Sequence, residues 1–129
     1  MAEIVDLPIV KTYRDLLVWQ QGMELCRIIY RLSSAFPKEE IYGLTSQMRR
    51  AVVSVPSNIA EGHARDSRQE YLRFLSIASG SLSELQTQIM IANDLGYLTP
   101  EDYLATENLI DKTLRMTRNL QLALKGNAS

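Results

Sequence analysis

Between Ser46 and Gly62 the chain carries a helical apolar stripe with a proline inside it. Ile41, Leu44, Met48, Val52, Val55 and Ile59 recur at steps of three and four, the spacing that puts side chains on one face of an α-helix. Pro56 falls within that stripe. Its nitrogen has no proton for the carbonyl of Val52 and its ring crowds that turn, so the helix must kink or find the carbonyl another partner. Ser54, Ser57 and Asn58 stand beside the break with short polar side chains that reach backbone groups within a turn, and local repair by them is expected. Arg50, Ser54, Ser57 and Glu61 lie at steps of four, three and four, which sets a polar line beside the apolar one. Buried polar groups cost roughly 1 to 3 kcal/mol each unless paired, so Arg50, Ser54, Pro56, Ser57, Asn58 and Glu61 are expected to form a satisfied structural cluster. Gly43 and Pro56 both weaken this helix intrinsically, so packing must hold it, as the central member of an all-α bundle.

Three more helices can be placed around it. From Asp15 to about Ala35 two apolar series run at heptad steps: Leu16, Trp19, Met23, Cys26, Tyr30, and Val18, Leu25, Ile29, Leu32, Phe36. Together they span a wider arc than one seam of a monomeric bundle needs, so part of this helix is expected to face another subunit. Phe36-Pro37 ends it. The central helix is expected from Lys38–Glu40, with acids in its first turn, to Gly62. Ser67-Arg68-Gln69-Glu70 has the spacing of a capping box and marks the third helix start. In that helix Tyr71, Leu75, Ala78, Leu82, Leu85, Ile89 and Ala92 form a heptad seam, and Ser76, Gly80, Ser83 and Thr87 form a line of small residues expected to admit a close neighbour. Leu95-Gly96 gives a stop, and Thr99-Pro100-Glu101-Asp102 supplies a cap, a first-turn proline and acids for the last helix. Its inner side is expected to carry Tyr103, Ile110, Leu114, Thr117, Leu120 and Leu124. Residues 1–13 are expected as an extended lead-in, 14–125 as one bundle domain, and 126–129 as a frayed tail.

A chain of 129 residues with 46% hydrophobic and 22% charged residues is one compact domain on length and composition. Net charge is -1, so no overall positive field advertises an anionic partner. No apolar run approaches the roughly 18 residues of a membrane span, the opening residues are acidic where a secretory leader needs a basic start, and Cys26 alone cannot make an intrachain disulfide. A reducing cytoplasm is the expected setting, with no membrane contact. Catalytic constellations are missing as well. His63 is the single histidine and Ala60 stands three residues before it, so a di-metal Glu-x-x-His pairing is excluded, and no second histidine serves the serines or Cys26. No Gly-rich phosphate loop or metal-spaced cysteine set occurs. The chain is therefore expected to be no enzyme and to need no cofactor.

Ten of the fourteen basic residues are arginines, which suit carboxylate and phosphate partners. Arg49, Arg65, Arg68 and Arg73 crowd the second helix and the turn into the third, while Arg115 and Arg118 load the last helix. In an oligomer these modest faces sum into a band, and phosphate binding scales with the number of contacts made together. No aromatic residues interleave with them as a single-strand stacking platform needs, so RNA binding there would follow shape and charge rather than sequence.

At Tyr42-Gly43-Leu44, Gln47, Arg49-Arg50-Ala51, Ser54-Val55-Pro56 and Asn58-Ile59-Ala60-Glu61-Gly62 the chain resembles the four-helix-bundle protein family encoded in bacterial large-subunit ribosomal RNA intervening sequences. The likeness continues through Phe74-Leu75-Ser76-Ile77-Ala78, Gly80-Ser81-Leu82, Glu84-Leu85 and Leu95-Gly96-Tyr97-Leu98, and it covers nearly everything after Tyr13. The family also includes the accessory protein of diversity-generating retroelements. What the resemblance implies is an up-down four-helix bundle that assembles as a ring, commonly a homopentamer, without catalytic residues. For the retroelement member it further implies binding of RNA and of a reverse transcriptase through a strongly basic surface, from which this slightly acidic chain departs. Two expectations follow: a non-enzymatic homo-oligomeric scaffold with an RNA or protein partner, or an RNA-binding accessory protein acting through the arginine faces.

Overall fold

The computed structural model describes residues 10–126. Four α-helices form the domain: α1 Leu17–Ser33, α2 Leu44–His63, α3 Arg68–Asp94 and α4 Pro100–Gly126, with 3-10 turns at Tyr13–Asp15 and Lys38–Glu40. Each helix packs on its neighbours in sequence and α4 closes back on α1, while among the described residues no close backbone approach crosses the diagonals. This is an up-down four-helix bundle with one central core.

Most heptad positions do what their spacing implies, whereas Tyr71 on α3 and Tyr103, Leu114, Leu120 and Leu124 on α4, expected on the inner side, are only half-buried against the core. Leu25 and Ile29 of α1, Met48, Val52, Val55 and Ile59 of α2, Leu75, Ala78, Leu82, Leu85, Ile89 and Ala92 of α3, and Ile110 of α4 are fully buried. Each large aliphatic side chain removed from water contributes about 1.5–3 kcal/mol, so this column outweighs the weak helix propensity at Gly43 and Pro56. On α4 the core is partly hydroxylic. Thr106, Thr113 and Thr117 are buried, and each donates its hydroxyl to the carbonyl four residues earlier, at 2.7–2.8 Å. A threonine that bonds its own helix presents only its methyl to the core, which is how three polar residues join an apolar seam.

The helix ends differ from expectation in instructive ways. The chain enters through a 3-10 turn in which the Asp15 carboxylate accepts the backbone N–H groups of Lys11 and Thr12, at 2.8 and 3.2 Å. These bonds hold the Asp15 carboxyl below its ordinary range. Leu16 is extended, and α1 starts one residue later. The second helix was expected from Lys38–Glu40; instead those residues form a 3-10 turn, and Gly43, at φ -116° and ψ -115°, delays α2 to Leu44. Ile41 consequently leaves the apolar stripe and is exposed. The Glu40 carboxylate stands in for a cap, accepting the first α2 N–H, of Leu44, at 3.2 Å. Its other oxygen accepts the Tyr97 hydroxyl at 2.9 Å, and Tyr97 packs on Phe36, so one acid ties together the loops at that end of the bundle. Bonding to Glu40 also raises the Tyr97 hydroxyl above its ordinary range.

Ser67 caps α3 through Glu70 N–H at 3.2 Å, but the Glu70 carboxylate turns to Arg73 at 3.3 Å, so ion pairing takes the second half of the capping box. Helix α3 ends in a Schellman motif: Gly96, at φ 79°, gives its N–H to Asn93 and Tyr97 gives its own to Ala92. Thr99 caps α4 through Asp102 N–H. Most of the lead-in (1–13) and tail (126–129) lies outside the described residues; Gly126 itself is the last residue of α4.

Candidate functional site

Pro56 is buried, and α2 runs through it without interruption. The thiol of Cys26, on α1, donates to the Val52 carbonyl at 3.4 Å, the same carbonyl that Pro56 leaves without its backbone donor. Burial pushes the Cys26 thiol up to about 11, so its proton stays in place at neutral pH. Gly22 lies one turn earlier on α1, where a Cβ would meet the ring and nitrogen of Pro56 at 3.3 Å. Repair of the break is therefore tertiary. The expected local repair is realised only in part: Asn58 donates to the Ser54 carbonyl and hydroxyl at 2.7 and 2.8 Å, and the Ser54 hydroxyl meets Ser81 of α3 at 2.8 Å.

The expected polar cluster does not close as a unit. Ser54 and Asn58 come together, whereas Ser57 and Arg50 are exposed and Glu61 points outward to Arg65 at 3.5 Å. A line of residues at steps of three and four shares a helix face, but this face lies largely at the bundle surface, where water satisfies the charges and nothing compels them to converge.

The six arginines are likewise dispersed. Arg49 donates to Ser33 of α1 and to the capping Ser34 at 2.9 and 3.4 Å and stacks over the Tyr30 ring at 4.7 Å, so its guanidinium is spent joining α1 to α2. Arg65, in the α2–α3 turn, and Arg73 of α3 both approach the Phe74 ring, at 5.0 and 4.7 Å, and pair with Glu61 of α2 and Glu70 of α3 respectively. Arg68, Arg115 and Arg118 are exposed, and among the described residues none makes a hydrogen bond or ion pair. Of the six, these three alone are without such a partner among the described residues.

A concave surface lies along α1 and α2. The first apolar series of α1 is left uncovered there: Val18, Leu25, Ile29, Leu32 and Phe36 are buried, while Leu16, Trp19, Met23 and Cys26 are half-buried and Tyr30 is 44% exposed. A cavity of about 810 Å³ opens between Tyr30, Phe36, Ile41, Arg49, Arg50 and Val53. It continues into one of about 480 Å³ between Trp19, Met23, Cys26, Pro56 and Ala60, the two sharing Tyr30 and Val53. The groove mixes apolar side chains with Ser33, Ser34, Ser46 and Ser57, carries Lys38, Arg49 and Arg50 at one end, and has in its wall the Thr45 hydroxyl, buried and without a hydrogen-bond partner among the described residues. Sequence reasoning found the surplus stripe of α1 but missed that Pro56 of α2 lines the groove beside Cys26. The heptad step from Trp19 through Met23 and Cys26 to Tyr30 was the available signal.

No cluster of three or more His, Cys, Asp or Glu side chains able to hold a metal occurs among the described residues, and no helix there is long and apolar enough to cross a membrane. Fold and surface together define a helical-bundle protein with a groove along α1 and α2. The chain belongs to the 23S rRNA-intervening sequence protein family, whose model matches residues 14–119. Among solved structures it is similar to a protein of unknown function from the S23 ribosomal protein family of Bacteroides thetaiotaomicron, with a TM-score of 0.76 at 20% identity. That match covers 81% of this chain and 98% of the other, and at such identity it shows the shared bundle alone. A search of curated proteins finds no significant match.

Proposed function

We propose that the protein is a non-enzymatic, cytoplasmic homo-oligomeric scaffold, assembled through the outer face of α1 and α2, with the pentameric ring as the favoured form. The observation that carries this reading is the uncovered apolar series Trp19, Met23, Cys26 and Tyr30 along a continuous groove. A contiguous apolar surface on a small bundle marks an interaction site, because exposing it in an isolated molecule forgoes the burial that stabilises everything else. Light scattering on the purified chain tests it: five copies of 14.6 kDa give about 73 kDa, and a clean 14.6 kDa species at tens of micromolar refutes it.

Three free guanidinium groups, on Arg68, Arg115 and Arg118, favour a second reading as an RNA-binding accessory protein. Repeated around an oligomer they supply a band of phosphate contacts whose strength falls steeply with salt. Anisotropy of a labelled structured RNA at low and physiological salt separates the two readings. Salt-sensitive binding lost in an Arg68, Arg115 and Arg118 triple alanine variant supports the second; no binding at low salt leaves the scaffold alone.

A further inference from the structure

Three glycines lie inside α1, α2 and α3, and the fold accounts for two of them. Gly22 and Gly62 each let a neighbouring helix close up, with a Cβ reaching 3.3 Å from Pro56 and 2.8 Å from Phe74 respectively. Gly80 is different. It sits in the middle of α3, where glycine costs about 1 kcal/mol relative to alanine, and a Cβ there would find no heavy atom within 4 Å. Ile77, Gly80, Glu84, Thr87, Ile91 and Leu95 follow one another at steps of three and four and all are exposed, so α3 presents an outer ridge with a notch in it. The small residues Ser76, Gly80, Ser83 and Thr87, expected to meet a neighbouring helix, are all exposed, and among the described residues Ser76 alone of them hydrogen-bonds to another helix, through Gln121 of α4.

We propose that the α3 ridge of one copy seats in the α1/α2 groove of a second copy. The inference rests on the homo-oligomer reading above and names its two contact surfaces. Shape and charge both favour the pairing. The ridge from Ile77 to Leu95 is about 27 Å long at 1.5 Å per residue, and the α1 wall of the groove from Trp19 to Ser34 is about 22 Å. The ridge carries the acid Asp94 beside Leu95, while the groove carries Lys38 and Arg50 besides the engaged Arg49; Glu84 instead shares a depression with Arg50 of its own copy. A backbone approaching over Gly80 explains why glycine stands where nothing within the chain requires it. Because groove and ridge are different surfaces, each copy offers one of each, and the contact is head-to-tail; such contacts close into rings when the rotation permits.

Gly80→Leu on the ridge and Val53→Arg in the groove test this, after the wild-type mass has been measured. Both positions are exposed, so each variant keeps its bundle, which circular dichroism verifies. Gly80→Leu should raise the melting temperature of the single copy while abolishing assembly, an outcome a merely structural role does not produce. Each variant alone should run at 14.6 kDa, and an equimolar mixture, which retains one intact groove and one intact ridge, should give a two-copy species near 29 kDa and nothing larger. Asp94→Lys should weaken assembly most at low salt. If the wild type assembles and the variants keep its mass, or their mixture stays at 14.6 kDa, the ridge-and-groove pairing is overturned while the oligomer reading stands. A monomeric wild type overturns both.

Discussion

Gly62→Ala and Gly80→Ala make the same chemical change in two helices of one small protein, and they should move stability in opposite directions. Alanine gains about 1 kcal/mol over glycine inside a helix, partly by restricting the unfolded chain. At Gly80 nothing opposes that gain, since the new methyl meets no atom within 4 Å, so the variant should be more stable by about 0.5–1 kcal/mol. At Gly62 the methyl would lie 2.8 Å from Phe74 Cβ, 3.1 Å from Tyr71 Cδ1 and 3.3 Å from the Tyr71 carbonyl oxygen. Phe74 Cβ and the carbonyl belong to or adjoin the α3 backbone and cannot swing aside, so α2 and α3 must part. Overpacking of this kind costs about 1–3 kcal/mol, which outweighs the propensity gain and leaves a net loss of about 1–2 kcal/mol. Urea unfolding followed by circular dichroism at matched low protein concentration reads both numbers without contribution from assembly. With slopes of about 1–3 kcal/mol per molar for a domain of this size, the two midpoints should separate by roughly 1 M. A Gly62→Ala midpoint at or above wild type would refute the close approach of α2 and α3 at that glycine.

Cys26→Ala should cost about 1 kcal/mol by stripping the Val52 carbonyl of its donor, and the cost should shrink in a Pro56→Ala background, where the residue-56 N–H returns to that carbonyl; a double-mutant cycle on urea midpoints showing no coupling would sink the latch. The same thiol gives a pH signature. Its folded value of about 11 lies above the ordinary 9.0, so the unfolded chain loses its proton first, and stability held below pH 9 should decline as pH rises toward 11. Thermal melts of Cys26→Ala, compared with wild type over that window, should show a shallower decline.

Spacing alone settled the core of α2 and α3, though not the hydroxylic seam of α4 or the exposure of Ile41. A residue's place on a helix face depends only on the turn of 100° per residue, so Met48, Val52, Val55 and Ile59, or the seam from Leu75 to Ala92, are legible without any knowledge of the fold. Stops and caps were legible for the same reason: Gly96 and Thr99-Pro100 act on groups within four residues of themselves. The surplus stripe of α1 was visible too, although what uses it was not. Beyond the local turn the sequence was silent. Glu40 replaces a helix start with a 3-10 turn and reaches Tyr97, 57 positions away. Gly22 makes room for Pro56, and Cys26 supplies the proton that the proline lacks, across 34 and 26 positions respectively, the latter counted to Val52. The arginines that share faces on paper separate in space because some reach a ring or hydroxyl on the neighbouring helix and others reach only water. Intrahelical order follows from backbone geometry that every residue carries with it, whereas these pairings exist only once helices are laid side by side, and distances between helices are set by packing rather than by sequence separation.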